Sequence, residues 1–312
     1  MVAAATAVSR AMQATIESVV TETPTVKMLR MKLEPPSNFG FAPGQWVDFH
    51  VPGLQAVGGY SICSTPSQLQ QTGTMDLCVK RSGHPCAQWV HAEASAGKQV
   101  SVAVGGSFTL QPDSCSKPCL FVAGGIGITA LSSMLGSLVE QQQQHQQQQQ
   151  PNAGPLHQPH RPFLLYSAAE PSEFALLKQL LHWQQAGAIN MQLHTTRTHG
   201  LPPVLQEAIN QQQQHLQQQQ LQRTGAAQGI KLPRVLQGRI GSSHLAAALK
   251  QLRQGTSSSN SSDSSSGATS SECGLQDVAA CVCGPPQMSE DVVQALLRLG
   301  LPHTSVHTER WW

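Results

Sequence analysis

The chain has 312 residues and a formal net charge of +2, which leaves room for two domains of ordinary size. Its Lys and Arg are scattered, which excludes an electrostatic footprint for nucleic acid and a polybasic membrane patch and leaves small molecules or proteins as partners. Eight cysteines in a chain this long, with no secretory apolar segment, favour reduced thiols and a soluble intracellular protein.

Residues 1–13 are Ala-rich, carry Arg10 and precede the first acid, Glu17. Both the remnant of a transit peptide, for a mitochondrion or another organelle, and a plain disordered tail fit that composition. From 14 to 114 the pattern is mostly of period two, as in Leu29, Met31, Leu33, then Val47, Phe49, Val51, then Met75, Leu77, Val79. Pro35-Pro36, Pro43-Gly44, Pro52-Gly53 and Thr72-Gly73 punctuate these half-buried strands. The expectation is a six-stranded antiparallel barrel with one short helix near Ala87 to Ala94.

Beyond Pro118, within 115–312, apolar runs of strand length alternate with helical stretches, as a doubly wound parallel sheet requires. Five strands are predicted: Cys119 to Ala123, Phe163 to Tyr166, Ile189 to His194, Val278 to Cys283 and His303 to His307. Helices are predicted near Ile128 to Glu140, Pro171 to Gln185, Ser243 to Arg253 and Gln287 to Leu299. The most apolar stretch, Cys119 to Leu138, is broken by four glycines and several hydroxyls, so no run reaches the ~20 residues of a spanning helix. Low-complexity insertions at 141–160, 209–230 and 254–274, two Gln-rich and one Ser-rich, read as surface loop expansions that cannot build a core.

Two motifs carry chemistry in this second region. Gly124, Gly125, Ile126, Gly127, Ile128 and Thr129 run from a strand through a glycine turn into a helix. Backbone without side chains can approach a pyrophosphate there, the helix N-terminus favours its charge, and Thr129 adds a hydroxyl; a glycine turn that only packs strand against helix is the competing reading. Cys283, Gly284, Pro285 and Pro286 again follow a strand and precede a helix, which places Cys283 at the carboxyl edge of the sheet, where open α/β folds bind ligands. Taken by itself, Cys283 reads as a packed small hydrophobe, since a buried cysteine is more often that than a reactive thiol.

Four ordered motifs together, Tyr60-Ser61-Ile62-Cys63-Ser64, Gly124 to Thr129, Cys283 to Pro286 and Glu309 to Trp312, resemble the ferredoxin-NADP reductase superfamily. Gly58 to Ser64 and the C-terminus look most like its oxidoreductase NAD-binding domain-containing group. The resemblance implies an FAD-binding barrel followed by an NAD(P)-binding domain, with FAD and NAD or NADP as cofactors. It implies that Tyr60 stacks beside the flavin ring, that the Ser61 hydroxyl reaches toward flavin N5, and that Ile62 and Ser64 complete the segment. Cys283 and Glu309 would lie near the reacting atoms, with Gly284 and Pro285 beside them, and Trp311 or Trp312 would cover the flavin.

Two positions depart from that pattern. Gly58 stands where the family usually has an arginine for the flavin pyrophosphate, and the loss of a charge-assisted bond costs ~1.5–3 kcal/mol. The second phosphate motif reads Gly83-His84-Pro85-Cys86, with a thiol in place of a hydroxyl. Ser167, Thr196 and Arg197 are candidate contacts for the nicotinamide nucleotide; Arg197 suits a 2′-phosphate or a plain surface position, so NAD and NADP both remain open. No iron–sulfur spacing or HExxH is present, so no metal is expected, and electrons would leave to an unidentified acceptor. The expected function is a flavin-dependent NAD(P)H oxidoreductase, with a nucleotide-binding module that senses or assembles without turnover as the alternative.

Overall fold

The structure is a computed structural model, and it describes residues 11–110, 117–148, 160–198, 200–210, 232–254 and 274–309. The chain divides into two compact units, residues 1–110 with 129–137, and residues 111–128 with 138–312.

The first unit is built on β1 (Met12–Thr23), β2 (Val26–Leu33), β3 (Trp46–His50), β4 (Val57–Ser61), β5 (Thr74–Lys80) and β6 (Gln99–Gly105). They form an antiparallel sheet in the order β4-β3-β6-β1-β2-β5. The alternation read from the sequence places Ile16, Leu29, Met31, Leu33, Val47, Phe49, Leu77 and Val102 in one core, none of them exposed. Each such side chain contributes about 1.5–3 kcal/mol through removal from water.

The two end strands of that order, β4 and β5, meet through a single antiparallel bridge, Ile62 to Leu77. Side chains reinforce this closure where the ladder is missing. The Cys63 N–H donates to the Asp76 carbonyl at 3.0 Å, and the Asp76 N–H donates to Ser64 Oγ at 3.0 Å. The Asp76 carboxylate accepts from Arg30 Nε and Nη2, each at 2.8 Å, and from Gln68 Nε2 at 3.0 Å. Gln68 belongs to α1 (Pro66–Thr72), a short helix that the sequence pattern did not announce; Thr65 caps it and Gly73 ends it in the left-handed region. The predicted short helix is α2 (Pro85–Ala92).

The second unit holds a parallel sheet of β7 (Cys119–Gly124), β8 (Phe163–Ala168), β9 (Asn190–Thr195), β10 (Arg234–Gln237), β11 (Ala279–Cys283) and β12 (Val306–Glu309). Its order is β10-β9-β8-β7-β11-β12. Six strands replace the expected five, because the four-residue β10 pairs with β9 at the sheet edge. So short a strand, half exposed, has neither the length nor the continuous apolar run that marks its neighbours. The last strand also begins later than expected, since His303–Ser305 forms a 3-10 turn ahead of β12.

Helices α3 (Ile128–Gln148), α4 (Leu177–Gln185), α5 (Ser242–Gln254) and α6 (Pro286–Arg298) follow the predicted stretches. Leu245, Leu249 and Leu252 of α5 and Val292 and Leu296 of α6 pack with Leu120, Val122, Leu165 and Val282 of the sheet. One reading changes: the first Gln-rich insertion continues α3 as far as Gln148 instead of forming a loop. Gln is a good helix former, and Gln142 is buried with its amide donating to the His160 carbonyl. Among the described residues no helix is long and apolar enough to cross a membrane, and no group of His, Cys, Asp and Glu is placed to hold a metal ion.

Candidate functional site

The chain reverses its order in the sheet at β7, whose neighbours are β8 on one side and β11 on the other. Open α/β sheets bind ligands outside the carboxyl ends of the strands at such a switch point. Both glycine motifs lie there. A Cβ on Gly127 would collide with the Cys283 carbonyl and stand 2.9 Å from the Gly284 nitrogen. A Cβ on Gly124 would collide with the Met288 sulfur and stand 2.8 Å from Pro285 Cδ. These two glycines therefore let the two turns pack on each other. Gly125 differs: its φ is +53° and nothing lies within 4 Å of a Cβ built on it. Packing does not explain that glycine; its left-handed backbone does, and the space beside it is open.

Met288, absent from the sequence-level site, packs against both glycine turns. Its sulfur contacts Gly124, would stand 3.0 Å from a Cβ on Gly284, and lies 3.6 Å from Ser167 Oγ. The only available signal was its position one turn into α6, where an amphipathic helix also places core residues. Ser167 is buried, and its hydroxyl donates to the Ala123 carbonyl at 3.4 Å. Ile128 is fully buried, and Thr129 is buried in the first turn of α3.

The parallel registers pair Ala123 with Cys283 and Cys283 with Glu309. Cys283 and Glu309 thus stand side by side on adjacent strands at the sheet edge. Cys283 is wholly buried, while Glu309 is half-buried, and burial pushes its carboxyl up to about 6. Thr196 and Arg197 follow β9 at the same edge; their side chains are exposed, and their N–H groups donate to the Ala168 and Ala169 carbonyls at 3.0 Å. Trp311 and Trp312 lie outside the described residues.

The barrel motif is arranged around β4. Tyr60 pairs with Val47 and Ser61 with Trp46. Ile62 is a core residue with no exposure, and Ser64 serves the barrel closure through its hydroxyl while its carbonyl accepts from Ser133 Oγ at 2.7 Å. The Tyr60 ring meets Phe49 edge to face, with centroids 5.5 Å apart, and lies back along the strand over Gly58. Its buried hydroxyl has no hydrogen-bond partner among the described residues, and burial together with the nearby Cys86 thiol raises its pKa.

At the start of α2 the donors are largely engaged. The Cys86 thiol is buried and donates to the Ala56 carbonyl at 3.2 Å, and its N–H donates to His84 Nδ1 at 3.3 Å. Pro85 has no N–H to give, so His84 acts as the cap of this helix. Gly83 has an ordinary φ and open space around it, so no steric demand requires glycine there.

Similarity to known proteins decides the family. Residues 117–296, more than half of the chain, match the ferric reductase NAD binding domain model. The chain belongs to this ferric reductase NAD-binding family. Oxidoreductase NAD-binding domain-containing protein 1 of Danio rerio is 30% identical over 94% of this chain and 89% of its own. The Homo sapiens protein of the same name is 46% identical over 36% of this chain and 37% of its own. A ferredoxin NADP+ reductase from Neisseria gonorrhoeae with bound FAD and NADP shares the fold, with a TM-score of 0.63, 15% identity, and coverage of 96% of this chain and 98% of that one. The flavohem-like FAD/NAD binding domain of a Vibrio cholerae nitric oxide dioxygenase aligns with a TM-score of 0.62 at 15% identity, over 96% and 98% of the two chains.

Proposed function

We propose that this protein is a flavin-dependent oxidoreductase that takes hydride from NADH or NADPH and passes electrons to a separate acceptor. The observation that carries the reading is the switch point at β7, where Gly125 leaves bare backbone open and where the strand registers bring Cys283 and Glu309 together at the carboxyl edge. When bound, the flavin and the nicotinamide supply the redox chemistry, and the protein contributes position and electrostatics.

In this reading Gly125 and Ile126 receive the nucleotide's pyrophosphate, with Gly124 and Gly127 securing the turn. Ser167, Thr196 and Arg197 border the rest of the nucleotide, and Cys283, Gly284 and Pro285 form the wall beside the nicotinamide. Glu309, with its carboxyl pushed up to about 6, holds or releases a proton at its Oε atoms near neutrality. Tyr60, Ser61, Ile62 and Ser64 serve the flavin, with the Ser61 hydroxyl able to donate or accept as its partner changes protonation. Gly83 borders its phosphate through backbone, with Cys86 behind it, its thiol held by Ala56 and its N–H by His84. Trp311 and Trp312 are proposed to cover the flavin.

A second reading is favoured by that barrel end. Gly58 supplies no cation, Cys86 gives its thiol to Ala56, and its N–H is taken by His84. A module that binds nucleotide without turnover would tolerate all three. Absorbance of protein incubated with FAD, desalted and then titrated anaerobically with NADH or NADPH separates the two. Retained flavin that bleaches is the expected result; protein that carries no flavin, or flavin that stays oxidised, overturns the oxidoreductase reading.

A further inference from the structure

The Tyr60 ring and Gly58 occupy one another's space. A Cβ on Gly58 would stand 2.6 Å from Tyr60 Cε2 and 2.8 Å from both Cζ and the hydroxyl oxygen. Residues 58 and 60 share a face of β4, so a side chain at 60 can lie along the strand only when 58 has none. The stored position has one favourable and one unfavourable feature. The ring edge packs on Phe49, part of a chain of rings that continues to Trp89 at 6.4 Å. Its hydroxyl, however, is buried beside Gly58 without a hydrogen-bond partner among the described residues. An unmade bond of this kind opposes the burial of the ring, so the stored position is only weakly held and the side chain has reason to leave it when an acceptor arrives.

We propose that Gly58 is a positioning residue for the flavin: it is the seat that holds Tyr60 back along β4, and the ring must lift from it to stack on the cofactor. This rests on the flavin reading above. Tyr60 then has two positions, stored and presented, and the affinity measured for flavin is the intrinsic affinity reduced by the fraction of molecules with the ring presented. Position 58 thereby tunes flavin retention through the Tyr60 ring.

The test measures FAD dissociation constants by flavin fluorescence quenching for the wild-type chain and for Gly58→Ala, Tyr60→Phe, Tyr60→Ala and the double variant Gly58→Ala with Tyr60→Ala, with the melting temperature of each flavin-free protein. Gly58→Ala removes the seat and is expected to bind FAD roughly three- to tenfold tighter, as follows if about a tenth to a third of wild-type molecules present the ring. Tyr60→Phe keeps the ring and removes the unpaired hydroxyl, so it is expected to melt no lower than wild type and to bind FAD more weakly. The Gly58→Ala effect is expected to vanish in the Tyr60→Ala background, where no ring remains to displace. Equal affinity of Gly58→Ala and wild type, or a Gly58→Ala effect that persists without the ring, overturns the seat while leaving flavin binding standing. If no variant binds FAD, the flavin reading and the seat fall together. Should Gly58→Ala not fold, the opposite movements of affinity and melting temperature in Tyr60→Phe decide the question.

Discussion

His194 is a titratable side chain built into the core. It lies in β9 without exposure, receives the Gln192 amide at Nε2 from 2.8 Å, and meets His244 edge to face with centroids 4.6 Å apart. Burial, and secondly His244, push its pKa down from 6.5 to about 4, against a smaller opposite pull from the Gly238 backbone. The folded state therefore keeps His194 neutral where the unfolded chain protonates it. Its contribution is fully present above pH 6.5 and is lost as the pH falls toward 4. Urea denaturation midpoints are expected to decline over that window in the wild type and to decline less in His194→Gln, whose amide does not titrate. Equal slopes for the two proteins would place the acid sensitivity elsewhere. Tyr60 makes the complementary point: its identity was legible as part of a motif, but its position over Gly58 depends on the absence of a neighbouring Cβ.

The glycine turn after β7 separates roles that a motif treats as equivalent. Gly127 has backbone of the opposite turn where its Cβ would go, and backbone cannot rotate away. Gly127→Ala is expected to lower the unfolding free energy by about 2–4 kcal/mol. Gly125 has a positive φ and open space, so Gly125→Ala is expected to cost about 1–2 kcal/mol through the left-handed backbone alone. Urea unfolding of the two variants measures the difference, and the reverse order would mean that the two turns do not pack as described. Elements were otherwise most legible where they were long and periodic, as in β2, β7 and α6. The helix α1 and the strand β10 were missed because α1 buries only Leu69 and β10 buries no residue, so neither shows an apolar pattern.

Across the whole molecule, the ordered motifs survive on either side of the low-complexity insertions. The Ser-rich run is bracketed by α5, which ends at Gln254, and by the turn at Leu275–Asp277 that leads into β11. Removal of residues 256–271 is expected to leave NADH affinity unchanged and to move the melting temperature by no more than about 2 °C, because closure entropy varies slowly with loop length. Calorimetry and a nucleotide titration of the shortened chain check this; loss of nucleotide binding would make the run part of the site.

By itself the sequence determined the antiparallel barrel, the parallel sheet and the family, since hydrophobic period and glycine placement follow from local sterics and burial. Register was decided only by the tertiary structure: Cys283 and Glu309 are 26 positions apart in the chain and adjacent only because β11 and β12 pair in parallel. So were the closure of the barrel at one bridge, the sulfur of Met288 against Gly124, the commitment of Cys86 to Ala56, and the seat of Tyr60 on Gly58. Each depends on which side chain occupies a space left by another element, and contacts of that kind leave no periodic trace along the chain.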